Sequence, residues 1–126
     1  MPSSLTVLLI EDDFLIRTCL AEFLLDNGLT VREADHCAEA RAIIGAEPKL
    51  DALVADMTLP DGDGMTLVQP ARERWPDLPV IYISGHGDLR RGETSGDPAR
   101  DRFISKPYTL ASILEALEDM TSAASV

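Results

Sequence analysis

Short apolar runs alternate with amphipathic segments along most of the chain. Five of these runs are rich in branched aliphatic residues and lie between turn-forming residues, which predicts β-strands. The predicted strands cover residues 5–10, 29–33, 51–56, 80–83 and 103–104. Because continuous apolar runs are typical of parallel strands covered on both faces, we expect a mostly parallel sheet.

Two helices are predicted in the first half of the chain, where apolar residues recur every three or four positions. The first covers residues 14–26 and stops at Asn27-Gly28. The second covers residues 36–45, with Asp35 as its expected cap. The side chains expected to face the core are Ile16, Cys19, Leu20, Phe23 and Leu24 in the first helix, and Ala38, Ala42 and Ile43 in the second.

Two further helices are predicted in the second half. One contains the apolar residues Met65, Leu67, Val68 and Ala71, and we expect a kink or interruption at Pro70, which lacks the amide hydrogen. The last begins after Thr109, which is placed to cap it. Its inward residues are expected to be Leu110, Ile113, Leu114, Leu117 and Met120.

The segment 88–101 is the least regular part of the chain. It contains several glycine, proline and small polar residues and no apolar repeat, so a helix there is expected to be truncated, displaced or mobile. Residues 121–126 form a small polar tail. We expect one domain over residues 1–126, with its core between about 5 and 120.

Strands that alternate with helical segments predict a doubly wound α/β domain with a parallel sheet. The small-domain strand order is 2-1-3-4-5, and its topological switch point lies between strands one and three. Both of these strands end in carboxylates, Glu11-Asp12 and Asp56. Ligands bind at the carboxyl edge of such sheets, so this edge is the expected functional site.

The charge of the chain excludes some classes of partner. Twenty-two acidic residues against eleven basic ones give a formal net charge of −11, which argues against direct binding to nucleic acid or to an anionic membrane. No apolar run is long enough to span a membrane and no secretion signal is seen, so a cytoplasmic location without membrane insertion is expected. Cys19 and Cys37 form no metal-binding spacing, and no disulfide is expected between them. Cys19 is expected to be buried, and Cys37 to begin a helix.

Four predicted strand ends bring chemistry to this edge: Glu11 and Asp12, Asp56, Ser84, and Lys106. Carboxylates gathered this closely repel each other unless a positive charge joins them. Lys106 is one such charge, and a divalent cation is another, since oxygen-rich sites suit Mg²⁺. A carboxylate oxygen left beside a cation, a hydroxyl and an ammonium suits phosphoryl transfer to an oxygen nucleophile.

Each of these residues also has an ordinary structural explanation. Acidic residues before a helix complement the helix dipole, and Asp56 before a proline–glycine turn can simply form that turn. Ser84 and Lys106 are unremarkable on their own. The functional interpretation therefore depends on the ordered set, with one member at the end of each successive strand.

The chain resembles the response-regulator receiver domains of bacterial two-component signalling. The resemblance rests on motifs that span nearly the whole chain. They are Ile10-Glu11-Asp12-Asp13 with Arg17, the stretch from Asp56 through Pro60-Asp61-Gly62-Asp63-Gly64, Ile83-Ser84-Gly85-His86-Gly87, and Phe103-Ile104-Ser105-Lys106-Pro107-Tyr108. It implies a flavodoxin-like fold with about five helices, of which the fourth, within 88–101, is atypical here. A truncated fourth helix would disfavour the family's usual dimer through the fourth and fifth helices.

The resemblance also implies a role for each matching residue. Asp56 would be the phosphoacceptor, and the Mg²⁺ (or Mn²⁺) ligands would be Glu11, Asp12, Asp56 and the backbone carbonyl of Thr58. Ser84 and Lys106 would bind the phosphoryl group, and Phe103 would be the switch aromatic. Thr58 and His86 would tune dephosphorylation, while Pro60, Gly62 and Pro107 would shape the loops, Pro107 through a cis bond. Asp13 would start the first helix.

The implied function is to take a phosphoryl group from a histidine kinase or a histidine phosphotransfer protein and to switch a protein-interaction surface. The downstream partner is not named by the sequence. The chain is expected not to be an enzyme, beyond self-catalysed phosphorylation and dephosphorylation. It would act alone or as a receiver within a hybrid histidine kinase. The alternatives are a phosphohydrolase with an Asp nucleophile, similar to haloacid dehalogenases, and a degenerate receiver that acts only as a binding module.

Overall fold

The structure is a computed structural model that describes residues 5–85 and 100–124, with side chains as far as residue 121. Its strands are β1 (Thr6–Ile10), β2 (Thr30–Ala34), β3 (Ala52–Asp56), β4 (Val80–Ser84) and β5 (Asp101–Ser105). Its α-helices are α1 (Phe14–Asp26), α2 (Cys37–Ala46), α3 (Val68–Arg74) and α4 (Leu110–Ala124), and a 3₁₀ helix covers Gly64–Leu67. Within these described residues, no helix is both long enough and apolar enough to cross a membrane.

The five strands form one parallel sheet in the order β2-β1-β3-β4-β5, as predicted. Alternate residues of the central strands point to opposite faces, and each face has its own apolar core. Leu8, Leu53 and Tyr82 belong to the core beneath α2 and α3. Val7 and Ile81 belong to the core beneath α1 and α4. Since both faces are covered, these strands read as continuous apolar runs.

The predicted inward face of α1 is wrong at its N-terminal end. Leu20 and Leu24 are buried, but Ile16 and Cys19 are exposed. The first turns of α1 start at the carboxyl edge of the sheet, where there is little sheet left to cover them. The helix buries its C-terminal half and leaves apolar side chains exposed near the edge.

The prediction for α2 is wrong in both its cap and its face. Its buried residues are Cys37, Ala40 and Ile44, whereas Ala38 and Ala42 are exposed and Ile43 is half-buried. The apolar period is the expected one, but its phase differs. Asp35 does not cap this helix, because the carboxylate of Asp61 accepts from the backbone N–H groups of Cys37 (2.7 Å) and Ala38 (3.0 Å) instead.

The third helical region is interrupted, as expected. A 3₁₀ helix precedes α3, so Pro70 lies in the first turn of α3, where its missing N–H group breaks no helical bond. The cap of α4 is also confirmed, since Thr109 Oγ1 accepts from the backbone N–H of Ser112 (3.1 Å).

Two predicted boundaries near the C-terminus are wrong. β5 begins at Asp101, two residues before the predicted strand, and Asp101 pairs in register with Val80. A carboxylate at a strand start is an unusual core residue, but Asp101 is buried because it has cationic and hydroxyl partners. The helix α4 continues to Ala124, into the predicted polar tail. The rest of the irregular segment, residues 88–99, lies outside the described residues, and so does the expectation about a truncated helix there.

Candidate functional site at the carboxyl edge of the sheet

Asp56 ends β3 and is only 3% exposed. Every residue of β3 is buried, so the strand carries this carboxylate into the protein at the sheet edge. Asp56 Oδ2 lies 2.7 Å from Lys106 Nζ, and Asp56 Oδ1 accepts from the backbone N–H of Thr58 (2.9 Å). One oxygen is therefore paired with a charge, and the other is oriented by the loop that follows the strand.

That loop, which includes Pro60, turns tightly around the end of β3. Leu59 and Gly62 exchange backbone hydrogen bonds and close the turn. Gly62 has a φ of 157°, which favours glycine. A Cβ on Gly64 would overlap the carbonyl oxygen of Asp56, so the loop can lie this close to Asp56 only with glycine there.

Glu11 and Asp12 follow β1 at the same edge. Glu11 is buried, and its Oε2 accepts from the backbone N–H of Asp13 (3.0 Å). Asp12 is exposed, and Asp13 caps α1 by accepting from the backbone N–H of Ile16 (3.0 Å). Carboxylate oxygens of Glu11, Asp12 and Asp56 all lie within 4.8 Å of one another. The switch point between β1 and β3 therefore gathers three carboxylates.

The electrostatics of this group show an excess of negative charge. Burial raises the pKa of Glu11 to about 7, and the charge of Asp56 adds to that rise, while the hydrogen bond from Asp13 opposes it. For Lys106, burial lowers the pKa, but the hydrogen bond and charge of Asp56 outweigh it and the net pKa is raised. The site thus holds Lys106 protonated and still lacks positive charge.

This donor set fits a divalent cation. Three carboxylates at one edge, two of them buried, provide hard oxygen ligands with access from solvent on the side of Asp12. Mg²⁺ prefers such ligands and retains several waters. Burial is the main cause of the raised pKa of Glu11, and a cation held between the carboxylates would lower that pKa again.

The remaining predicted residues that are described lie on β4, β5 and the loops beside them. Ser84 is buried at the end of β4, and its carbonyl accepts from the backbone N–H of Lys106 (2.9 Å). Phe103 is half-buried on β5, and the peptide bond between Lys106 and Pro107 is cis. Thr58 has an exposed side chain. His86 lies outside the described residues.

An apolar groove that the sequence did not predict opens beside Lys106. It has a volume of about 790 Å³. Its lining residues are Leu15, Ile16, Cys19, Gly85, Lys106, Pro107, Tyr108 and Leu110. Burial raises the pKa of Tyr108 to about 12, with further contributions from the charges of Glu11 and Asp56, which places this side chain within the field of the carboxylates. The available signal for the groove is the apolar start of α1, where the spacing predicts Ile16 and Cys19 to be core residues.

A second unpredicted feature lies on β4 and β5, away from the carboxyl edge. Tyr82 Oη donates to Asp101 Oδ1 (2.9 Å), and Arg72 Nη2 donates to the same oxygen (3.0 Å). The side chain of Asp101 is 1% exposed. One weak signal of this feature is present in the sequence, a tyrosine within an otherwise aliphatic strand.

Comparison with known proteins identifies relatives along almost the whole chain. The family described as "Response regulator receiver domain" matches residues 7–118. The response regulator receiver protein CpdR of Brucella abortus is 32% identical over 118 residues, which cover 94% of this chain and 98% of CpdR. The sensor kinase CckA of the same organism is also 32% identical, over 95% of this chain, but this chain spans only 13% of that kinase.

Solved structures agree with these relatives. A response regulator receiver protein from Sinorhizobium medicae superimposes with a TM-score of 0.86 at 28% identity, covering 95% of this chain and 96% of that one. The receiver domain of the hybrid histidine kinase CckA superimposes with a TM-score of 0.76 at 27% identity, covering 92% and 98%. The likeness thus extends over the whole described sheet and its carboxyl edge.

Proposed function

Since the chain belongs to the response regulator receiver domain family, we propose that Asp56 is its phosphoacceptor. The observation that carries the proposal is the placement of Asp56. It is a buried strand-end carboxylate with one oxygen paired to Lys106, beside two further carboxylates. The donor would be a phosphohistidine on a histidine kinase or on a histidine phosphotransfer protein.

In the proposed transfer, an oxygen of Asp56 forms a bond to phosphorus as the bond from phosphorus to the donor imidazole nitrogen breaks. The imidazole leaves and takes up a proton from solvent. Lys106 stabilises charge on the phosphoryl oxygens from the position where it now pairs with Asp56 Oδ2. The Thr58 N–H group keeps the other carboxylate oxygen oriented. The protein contributes mainly positioning and charge stabilisation, which is what phosphoryl transfer requires.

Glu11, Asp12 and Asp56, with the Thr58 carbonyl, would hold Mg²⁺ or Mn²⁺. When bound, the cation supplies positive charge that offsets the carboxylates and the phosphoryl oxygens. Glu11 must be ionised to serve as a ligand, and its pKa of about 7 means that it is only partly ionised at neutral pH without the metal.

The new acyl phosphate would add about −1.5 to −2 units of charge near Ser84. Ser84 would bond to the phosphoryl oxygens, and Phe103 would adjust its packing in response. Through these two residues the charge at Asp56 would become a change in a protein-interaction surface. The downstream partner would be a protein, because a net charge of −11 disfavours direct contact with nucleic acid.

The phosphodonor would dock in the apolar groove beside Lys106. Leu15 is 69% exposed, and the groove connects it with Pro107 and Tyr108 next to the phosphoacceptor pair. A partner whose apolar helix face binds in this groove would place its phosphohistidine at the carboxyl edge of the sheet, near Asp56. The groove is continuous with the acceptor site through Lys106, which belongs to both.

The direct test is the intact mass of the protein after incubation with acetyl phosphate and Mg²⁺. Wild type should gain one phosphoryl group, and Asp56→Asn should gain none. A mass gain of one phosphoryl group in Asp56→Asn would show that Asp56 is not the phosphoacceptor. Replacing Thr58 or His86 should change the rate at which the phosphoryl group is lost more than it changes folding, which pulse-labelled decay would measure.

The other functions considered have less support. A haloacid-dehalogenase-like hydrolase would need a second Asp two residues after the nucleophile, where this chain has Thr58. A degenerate receiver would lack part of the site, but Glu11, Asp12, Asp56 and Lys106 are all gathered together. Steady turnover of a phosphomonoester would be required to restore the hydrolase.

A further inference from the structure

Tyr82 and Phe103 lie side by side on the sheet face that also carries Ser84. Tyr82 pairs with Phe103 across β4 and β5, and Ser84 lies two residues further along β4, so its side chain points to the same face. The rings of Tyr82 and Phe103 are stacked, with centroids 4.8 Å apart and an interplanar angle of 19°. Any displacement of the Phe103 ring therefore starts from contact with Tyr82.

The Tyr82 ring is held at its far end. Tyr82 is 2% exposed, and its hydroxyl donates to the buried carboxylate of Asp101. Asp101 is held in turn by Arg72, which also donates to the backbone carbonyls of Leu78 (2.9 Å) and Arg100 (2.8 Å). A buried carboxylate that loses a donor is costly, so the hydroxyl keeps the ring from tilting.

We propose that Tyr82, anchored through Asp101 by Arg72, is a positioning residue that fixes where the Phe103 ring rests before phosphorylation. This inference rests on the proposed function, because it concerns how the phosphoryl group on Asp56 is read out. Phe103 has no hydroxyl to mark one of two positions. The neighbouring Tyr82 carries a hydroxyl and lends Phe103 a defined surface against which to rest.

Two consequences distinguish this role from ordinary core packing. With the anchor intact, Phe103 has one resting position, and phosphorylation moves it away as a single step. Without the anchor, the stacked pair shifts together, and Phe103 samples several positions even before phosphorylation. The chemistry at Asp56 should be unaffected, because the Tyr82 hydroxyl bonds to Asp101, at the start of β5, and the ring is kept in the Tyr82→Phe variant.

The test follows Phe103 directly by fluorine NMR. The chain has three phenylalanines, so 4-fluorophenylalanine labelling gives three resonances, and Phe103→Leu identifies the relevant one. Acetyl phosphate and Mg²⁺ should displace the Phe103 resonance of wild type. In Tyr82→Phe, which keeps the ring and removes the hydroxyl, the displacement should fall to about half or less because the resting state is mixed. The phosphorylation rate should stay within about twofold of wild type.

Thr121→Val is the matched control, because it removes a partly buried hydroxyl that donates to the Leu117 carbonyl (2.6 Å) in α4, the helix that covers the opposite core. It should leave the Phe103 displacement unchanged. If Tyr82→Phe does not fold, Asp101→Asn tests the same claim. Its neutral amide binds the Tyr82 hydroxyl more weakly than a carboxylate does, so the displacement of the Phe103 resonance should again be reduced.

Each outcome separates the two claims. A normal phosphoryl mass gain with a wild-type displacement of Phe103 in the folded variant overturns the role of Tyr82 alone. No mass gain in wild type overturns the proposed function, and the inference that rests on it falls too.

Discussion

Two buried aspartates, Asp56 and Asp101, are each paired with a cation, yet their surroundings are opposite. Asp101 starts β5 at the amino end of the sheet and accepts from Arg72 and Tyr82, both well packed. Asp56 ends β3 at the carboxyl edge, and its partner Lys106 is partly exposed. Asp56 also has two carboxylate neighbours, whereas Asp101 faces cationic and hydroxyl donors. Burial of a carboxylate is thus no sign of chemistry by itself. What distinguishes Asp56 is that its cationic partner is partly exposed and that two further carboxylates lie beside it.

The largest effect is expected when the cation beside Asp56, at the carboxyl edge of the sheet, is removed. In Lys106→Met, phosphorylation of Asp56 by acetyl phosphate should slow about 10²–10³-fold, the usual loss when one charge-stabilising donor is removed. The rate of mass gain measures this. Lys49 is the only other lysine in the chain and pairs at the surface with Asp51 (3.3 Å), so Lys49→Met should change the rate little. Equal losses in both variants would show that general charge, not the position of Lys106, is responsible.

Removal of the cation beside Asp101, at the amino end of the sheet, should affect folding instead. Arg72→Met removes a cation that bonds to the buried Asp101 carboxylate, which should lower the free energy of unfolding by about 3–5 kcal/mol. Urea denaturation measures the loss. Arg32→Met breaks a more exposed pair with Glu47 and should cost no more than about 1 kcal/mol. A small loss in Arg72→Met would mean that the two aspartates are less different than their contacts indicate.

The excess charge around Asp56 should appear in the pH dependence of stability without metal. The folded pKa of Glu11, about 7, lies above the ordinary value of 4.5, so the folded state binds the proton more tightly than the unfolded state. Its contribution to stability is complete below about pH 4.5 and is lost as the pH rises to about 7 and beyond. Glu11→Gln should therefore gain about 2–3 kcal/mol relative to wild type between pH 5 and pH 8.

Urea unfolding of chelator-treated wild type and Glu11→Gln at pH 5 and pH 8 measures this gain in the free energy of unfolding. Mg²⁺ should reduce it, because a bound cation keeps Glu11 ionised in the folded state. If Glu11→Gln and wild type have the same difference in unfolding free energy between the two pH values, the raised pKa of Glu11 is contradicted.

The smallest effect concerns access to Asp56 from the groove. Leu15→Ser should reduce the ratio of phosphotransfer from a protein donor to phosphorylation by acetyl phosphate about tenfold, because one apolar anchor is lost. Leu25→Ser is the matched control, since Leu25 is 50% exposed on the same helix but does not line the groove. Equal ratios in the two variants would show that the protein donor does not dock in this groove.

The sheet, and the gathering of charged side chains at its carboxyl edge, followed from the sequence because their signals are local. Apolar runs that end in carboxylates define the strands and place Asp56, Glu11 and Lys106 at one edge. The phase of α2 did not follow, because its cap comes from Asp61, in a loop 24 residues away. Asp101 was also missed, since a carboxylate becomes a core residue only where Arg72 and Tyr82 converge on it, and that convergence is tertiary. Spacing also predicts Ile16 and Cys19 to be core residues, because hydrophobic spacing does not distinguish a core face from a binding groove.

The role of Asp56 is tested most directly by locating the phosphoryl group itself. Borohydride reduces an aspartyl phosphate to homoserine, which peptide mass spectrometry places in the sequence. After treatment with acetyl phosphate and Mg²⁺, homoserine should appear at position 56, while Asp101 should remain aspartate. Homoserine at Asp12, Asp61 or Asp63 with Asp56 intact would contradict the assignment of the phosphoacceptor.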